Sequence, residues 1–143
     1  MMKQEAIQKI NEVIEHSRIG VLATSYHDQP NSRYMIFYND GLDLYTKTSK
    51  QTPKFEEIKH NPKAHVLLGY EENNQLPYVE LEGAIEIVTD QQQINWLWQE
   101  QDKTFFDSKE DPDLVVLRVI PNKVTLHEQK DGNGPIEIDV SNL

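Results

Sequence analysis

The sequence predicts a mainly β fold, an antiparallel sheet of about six to seven strands closed into a small barrel, with three flanking helices. Three observations carry this. Short runs rich in Val, Ile, Leu, Thr and Tyr recur along the 143 residues and have the spacing of strands. Most connections between them are too short for a parallel crossover. About six strands with alternating faces favour closure, which removes exposed edges.

The elements follow in order. Residues 3–16 place Ile7, Ile10 and Ile14 at helical spacing among charges, an amphipathic helix. Residues 19–25 form an apolar, β-branched strand. A turn over 27–31, with Asp28 and Pro30, leads to a second strand at 32–38. Asn39-Asp40-Gly41 supplies a hairpin turn, and the chain returns at 42–48 with Leu42, Leu44, Thr46 and Thr48 on one face. Thr52-Pro53 opens a second helix, with Thr as cap and Pro at the first helical position. Phe55 and Ile58 mark its buried side, and Asn61-Pro62 ends it. Strands follow at 64–70 and 78–88, the second alternating Val79, Leu81, Ile85 and Ile87 with Glu80, Glu82 and Glu86. Asp90 with Gln93 starts a third helix, whose buried face carries Ile94, Leu97 and Trp98. A long strand at 114–126, interrupted at Pro121-Asn122, and an edge strand at 136–140 complete the set. No repeat or linker divides the chain, so residues 1–143 read as one domain.

Composition excludes several functions. With no cysteine there is no disulfide framework, thiolate metal site or cysteine nucleophile. His16, His27, His60, His65 and His127 have no compact ligand spacing, so no metal site is expected. No apolar run approaches the ~20 residues of a membrane helix, and the charged first residues lack a signal-peptide pattern, so a cytoplasmic protein without membrane association is expected. A net charge of −10 argues against binding nucleic acid. Within 45–63, however, Lys47, Lys50, Lys54, Lys59 and Lys63 stand against Glu56 and Glu57, a local +3. Such an island suits a small anion, or it is a set of solvated lysines on a helix. Trp96, Trp98 and the Phe105-Phe106 pair are expected in the core or in a dimer interface.

The richest stretch is Leu44-Tyr45-Thr46-Lys47-Thr48-Ser49-Lys50-Gln51-Thr52-Pro53-Lys54. Its hydroxyls and lysines lead into a helix N-terminus, where free backbone N–H groups and the helix dipole favour a phosphate. Arg33, one hairpin away, is placed to reach the same anion.

From Ser32 to Gly69 the chain resembles the flavin-binding half of the pyridoxamine-phosphate-oxidase-like split barrels, in their general stress protein branch. YVELEGAIEIVTD and DPDLVVLRVIPNKV follow in the same order, so the resemblance spans roughly residues 5–128. It implies a split β-barrel homodimer binding FMN in clefts between subunits. Position by position, it implies cofactor contacts from Arg33, Tyr34 and Met35, and from Thr46 or Thr48. It also implies a phosphate loop containing Ser49, Lys50 and Thr52, with Lys54 on the phosphate. Tyr78 stands where the oxidases carry a flavin-contacting glutamine. Two departures accompany this. The oxidases hold pyridoxal phosphate through a C-terminal Arg-x-His, and here no arginine follows Arg118. Relatives often carry Trp-Asp where this chain has His127-Glu128. The resemblance therefore implies an FMN-dependent oxidoreductase of unidentified substrate, not a pyridoxamine-phosphate oxidase. A non-catalytic flavin carrier or sensor is the alternative, and a haem-binding barrel using His127 or His65 is the third.

Overall fold

The computed structural model describes residues 2–71, 76–128 and 134–140. Helix α1 (Lys3–His16) buries Ala6, Ile10, Val13 and Ile14, while Ile7, the third residue of the expected stripe, is only partly buried. Among the described residues eight antiparallel strands follow, one more than the upper expectation: β1 (Ile19–Tyr26), β2 (Gln29–Ile36), β3 (Tyr38–Asp40), β4 (Asp43–Ser49), β5 (Lys63–Glu71), β6 (Leu76–Val88), β7 (Leu114–His127) and β8 (Ile136–Asp139). Helix α2 (Pro53–His60) joins β4 to β5. Helix α3 (Gln91–Leu97) and a 3-10 turn (Glu100–Thr104) join β6 to β7.

The pairing order is β2-β1-β5-β6-β7-β4-β3, with β8 added beside β7. The sheet curls so that β2 lies near β4 without pairing to it, a barrel split along that seam. Leu22, Val66, Leu68, Val79, Leu81, Leu117, Val124 and Leu126 fill the interior against α1. A smaller cluster of Tyr45, Ile94, Leu97, Leu114 and Val116 holds α3 to the outside.

Several boundaries differ from expectation, each for a local reason. His27 and Asp28 adopt φ of 51° and 63°, a tight turn in the left-handed region. The second strand therefore begins at Gln29, not Ser32, and Pro30 is tolerated because β2 is an edge strand. The expected 32–38 strand breaks at Phe37, which is buried and donates its N–H to the Arg18 carbonyl at 2.7 Å. This break makes β3 a separate strand. Its hairpin turns at Gly41, with φ of 62°, so β4 starts at Asp43 rather than Leu42. Strand β7 is not interrupted at Pro121-Asn122. A register shift opposite Glu82 and Gly83 absorbs the extra residue as a bulge. Strand β8 stops at Asp139, and Val140 N–H bonds the Asn122 carbonyl at 3.0 Å.

Candidate functional site: a cleft at the split of the barrel

The split leaves part of β4 uncovered. Short β3 pairs only with Asp43, Leu44 and Tyr45, so Thr46–Ser49 pairs with β7 alone. Across the gap, β2 pairs only with β1. Between these two edges lies a cleft of about 520 Å³, within the roughly 300–1,000 Å³ usual for small-molecule sites. Tyr34, Met35 and Ile36 line one side, Thr46 to Ser49 the other, and Thr52 and Lys54 close the end where α2 begins. Ile19, Tyr38, Asp102, Phe105 and Phe106 complete the wall.

The α2 end has a defined hydrogen-bond pattern. Thr52 occupies the cap position, but its hydroxyl does not cap the helix; it donates back to the Ser49 carbonyl at 2.9 Å. Ser49 Oγ accepts the Gln51 N–H at 3.1 Å, and Lys50 N–H bonds the Asp113 carbonyl at 2.8 Å. Together these bonds hold the turn before α2. Lys54 Nζ reaches back to Thr48 Oγ1 at 2.5 Å. Among the described residues no carboxylate lies within ion-pair distance of Lys54. Burial, and then the nearby Arg33 charge, lower the Lys54 pKa from its usual value.

Of the ten residues singled out from the sequence, Tyr34, Met35, Thr46, Thr48, Ser49, Thr52 and Lys54 line this one cleft. Both threonines of β4 are buried on it. Arg33 is outside the lining, its side chain held by β1 and α2. Its guanidinium donates to Thr24 Oγ1 at 2.9 Å and to the Leu22 carbonyl at 3.2 Å, with Glu57 at 3.7 Å. Lys50 is exposed and outside the lining.

Tyr78 is elsewhere, on the outer face of β6. Its ring stacks on His127 with centroids 4.3 Å apart and planes 9° off parallel. Glu80 accepts from His127 Nε2 at 2.6 Å and lies 3.1 Å from His65 Nε2. The hydrogen bond from His127 is the largest influence holding the Glu80 carboxyl below its usual pKa. Neither histidine named as a haem ligand presents a free Nε2. No group of three or more metal-binding side chains is assembled among the described residues.

Of the aromatic residues expected in the core or in a dimer interface, Trp96 and Phe105 are not in the core. Trp96 is 52% exposed, edge-on to Tyr45, and Phe105 is 79% exposed. Trp98 caps the end of α3 rather than lying on its buried face, and with Phe106 it packs on the smaller cluster. The sequence did not point to Ile19, Ile36, Tyr38, Lys47, Asp102, Phe105 and Phe106 as cleft residues. Lys47 was visible in the basic island, but its partner Asp102 lies 55 positions away.

The chain belongs to the pyridoxamine 5'-phosphate oxidase family: the family profile matches residues 6–128. General stress protein 26 of Bacillus subtilis (strain 168) is 42% identical over 127 residues, 88% of this chain and 91% of that protein. The crystal structure of general stress protein 26 from Bacillus anthracis str. Sterne is 30% identical, with a TM-score of 0.83 over 94% of this chain and 98% of its own. A haem-binding protein from Mycobacterium smegmatis is 14% identical, with a TM-score of 0.78 over 97% of this chain and 60% of its own. That last likeness is one of fold.

Proposed function

We propose that this chain is an FMN-binding protein, a flavin-dependent oxidoreductase of the general stress protein type. The observation that carries this reading is Lys54. A half-buried ammonium beside a second cation, without a carboxylate partner, is a poor arrangement unless an anion completes it. Thr48, Ser49 and Thr52 surround the place a phosphate would take, and α2 starts there. Arg33 adds positive potential from behind. The isoalloxazine would lie along Tyr34 and Met35 toward Thr46, against a mainly apolar wall. FMN, when bound, supplies acceptance and donation of one or two electrons. The chain's own residues bind the phosphate, orient the ring and exclude water.

The rim of the cleft is exposed at Tyr34, Ile36 and Phe105, and a second copy of the chain would cover it. In that arrangement the second copy presents its Tyr78 to the ring. A carrier or sensor without catalysis uses the same cleft, and FMN-dependent oxidation of a nicotinamide donor distinguishes the two.

Titration of the purified protein with FMN, riboflavin and haemin tests the reading. Quenching of flavin fluorescence should saturate with FMN at lower concentration than with riboflavin, and haemin should give no stoichiometric Soret shift. Haemin binding in place of FMN would overturn it.

A further inference from the structure

Outside the cleft, two histidines converge on one carboxylate. His65, Glu80 and His127 stand on the neighbouring strands β5, β6 and β7. His65 Nε2 lies 3.1 Å from Glu80 Oε1, and His127 Nε2 donates to Oε2 at 2.6 Å. The three side chains are 37%, 34% and 21% exposed, open enough to exchange protons with water. An imidazole that donates through Nε2 keeps Nδ1 for a further proton. Tyr78 covers one face of His127, and Tyr70 meets Tyr78 edge-on with centroids 6.4 Å apart. The charged groups around the cluster are paired with one another. Lys123 of β7 meets Glu82 of β6 at 3.0 Å and Glu137 of β8 at 3.7 Å. Lys9 of α1 meets Glu128 at 2.6 Å. Directly opposite Glu80 stand the uncharged Leu67 of β5 and Thr125 of β7. The Glu80 carboxylate is thus left to the two histidines.

We propose that the His65–Glu80–His127 cluster is a proton-operated clasp on Tyr78, which tightens as pH falls through neutrality. Histidine is the side chain that changes charge in this range. A proton taken from water at His127 Nδ1 makes the ring a cation without disturbing its Nε2 bond. The bond to Glu80 becomes an ion pair, and the stack on Tyr78 becomes a cation–π contact. As pH rises the proton returns to water, and both contacts revert to those of a neutral ring. His65, on the other carboxylate oxygen, keeps Glu80 oriented toward the pair. The use of the clasp rests on the FMN reading. There Tyr78 of one copy covers the ring bound by the other, so ring binding inherits the pH dependence. Tyr78, His127 and Glu80 then act as positioning residues for the cofactor.

Two measurements at pH 6 and pH 8 test this. The first is a double-mutant cycle of Tyr78→Leu and His127→Gln on the flavin-free protein, by chemical denaturation at one protein concentration. The coupling between the two residues, as a ratio of unfolding constants, should be at least threefold larger at pH 6. The second is riboflavin binding, read by quenching of its fluorescence. Riboflavin isolates the ring, because it has no phosphate to titrate or to meet Lys54. Native protein should bind it at least threefold tighter at pH 6 than at pH 8. His127→Phe keeps a ring to stack on Tyr78 but takes up no proton. It should match native affinity at pH 8 within twofold and show no rise at pH 6. His127→Gln should show no rise either, so a failure of His127→Phe to fold leaves the proposal testable. Equal coupling at the two pH values overturns the clasp. So does native riboflavin affinity that is flat with pH, or a rise that both His127 variants retain. If neither FMN nor riboflavin binds, the flavin reading falls and the cycle alone decides the clasp; if both bind and the cycle shows equal coupling, the clasp falls and the flavin reading stands.

Discussion

Lys54 is the residue on which the cofactor reading turns. Its ammonium has one hydroxyl partner, Thr48, and a neighbouring cation, Arg33. A phosphate there replaces lost hydration with a charge-assisted contact. Lys54→Ala should therefore weaken FMN by about 1.5–3 kcal/mol, roughly tenfold to a hundredfold, and riboflavin less than threefold. Parallel titrations of the two flavins check this, and equal small losses would reduce Lys54 to a solvated helix residue. The pH dependence has a definite sign. Burial and Arg33 lower the Lys54 pKa, so its charge is lost below the ordinary lysine range of about 10.4. FMN affinity should decline with rising pH through that range beyond any change shared with riboflavin. In the cofactor-free protein the same shift works the other way. The unfolded chain holds the Lys54 proton to higher pH, so between the two pKa values stability rises with pH.

At the scale of the element, the bulge in β6 and β7 decides the shape of the barrel wall. Glu82 faces Lys123 and Gly83 faces Pro121, leaving Asn122 over. A β-carbon on Gly83 would overlap the Ile120 carbonyl oxygen and approach Pro121 Cα to 2.7 Å. Both obstacles are backbone, so neither can swing aside. Gly83→Ala should cost about 1–3 kcal/mol by overpacking, with Tm falling roughly 2–4 °C for each kcal/mol in a chain of this size. Calorimetry measures it, and a Tm within a degree of the native protein would show that the bulge yields.

At the scale of the whole molecule, four exposed apolar side chains gather where the cleft opens. Ile19, Tyr34, Ile36 and Phe105 are all exposed around it, Tyr34 and Phe105 to 79%. Such a patch beside a binding cleft marks an interaction surface, and a flavin ring needs cover on both faces. Light scattering after size-exclusion should return twice the 16.7 kDa chain mass at micromolar concentration. A stable species of 16.7 kDa would remove the dimer and with it the second wall. Among the described residues no helix is long and apolar enough to cross a membrane.

Much of this architecture was legible in the sequence because its causes are local. Ile10 and Ile14 mark the buried stripe of α1, Thr52-Pro53 marks the start of α2, and alternation marks β6. The run from Thr46 to Lys54 likewise brings its own hydroxyls and lysine to one helix start, since β4 and α2 are consecutive. Tertiary structure decided the rest. The Arg33 side chain turns to Thr24 and Glu57 because the pairing of β2 with β1 sets its face. Tyr78 and His127 lie outside the cleft because the registers of β6 and β7 set them opposite one another. Lys47 meets Asp102 only because the connection from α3 to β7 folds back over β4. Each of these depends on strand register or long-range closure. Local propensity and charge spacing carry no record of either.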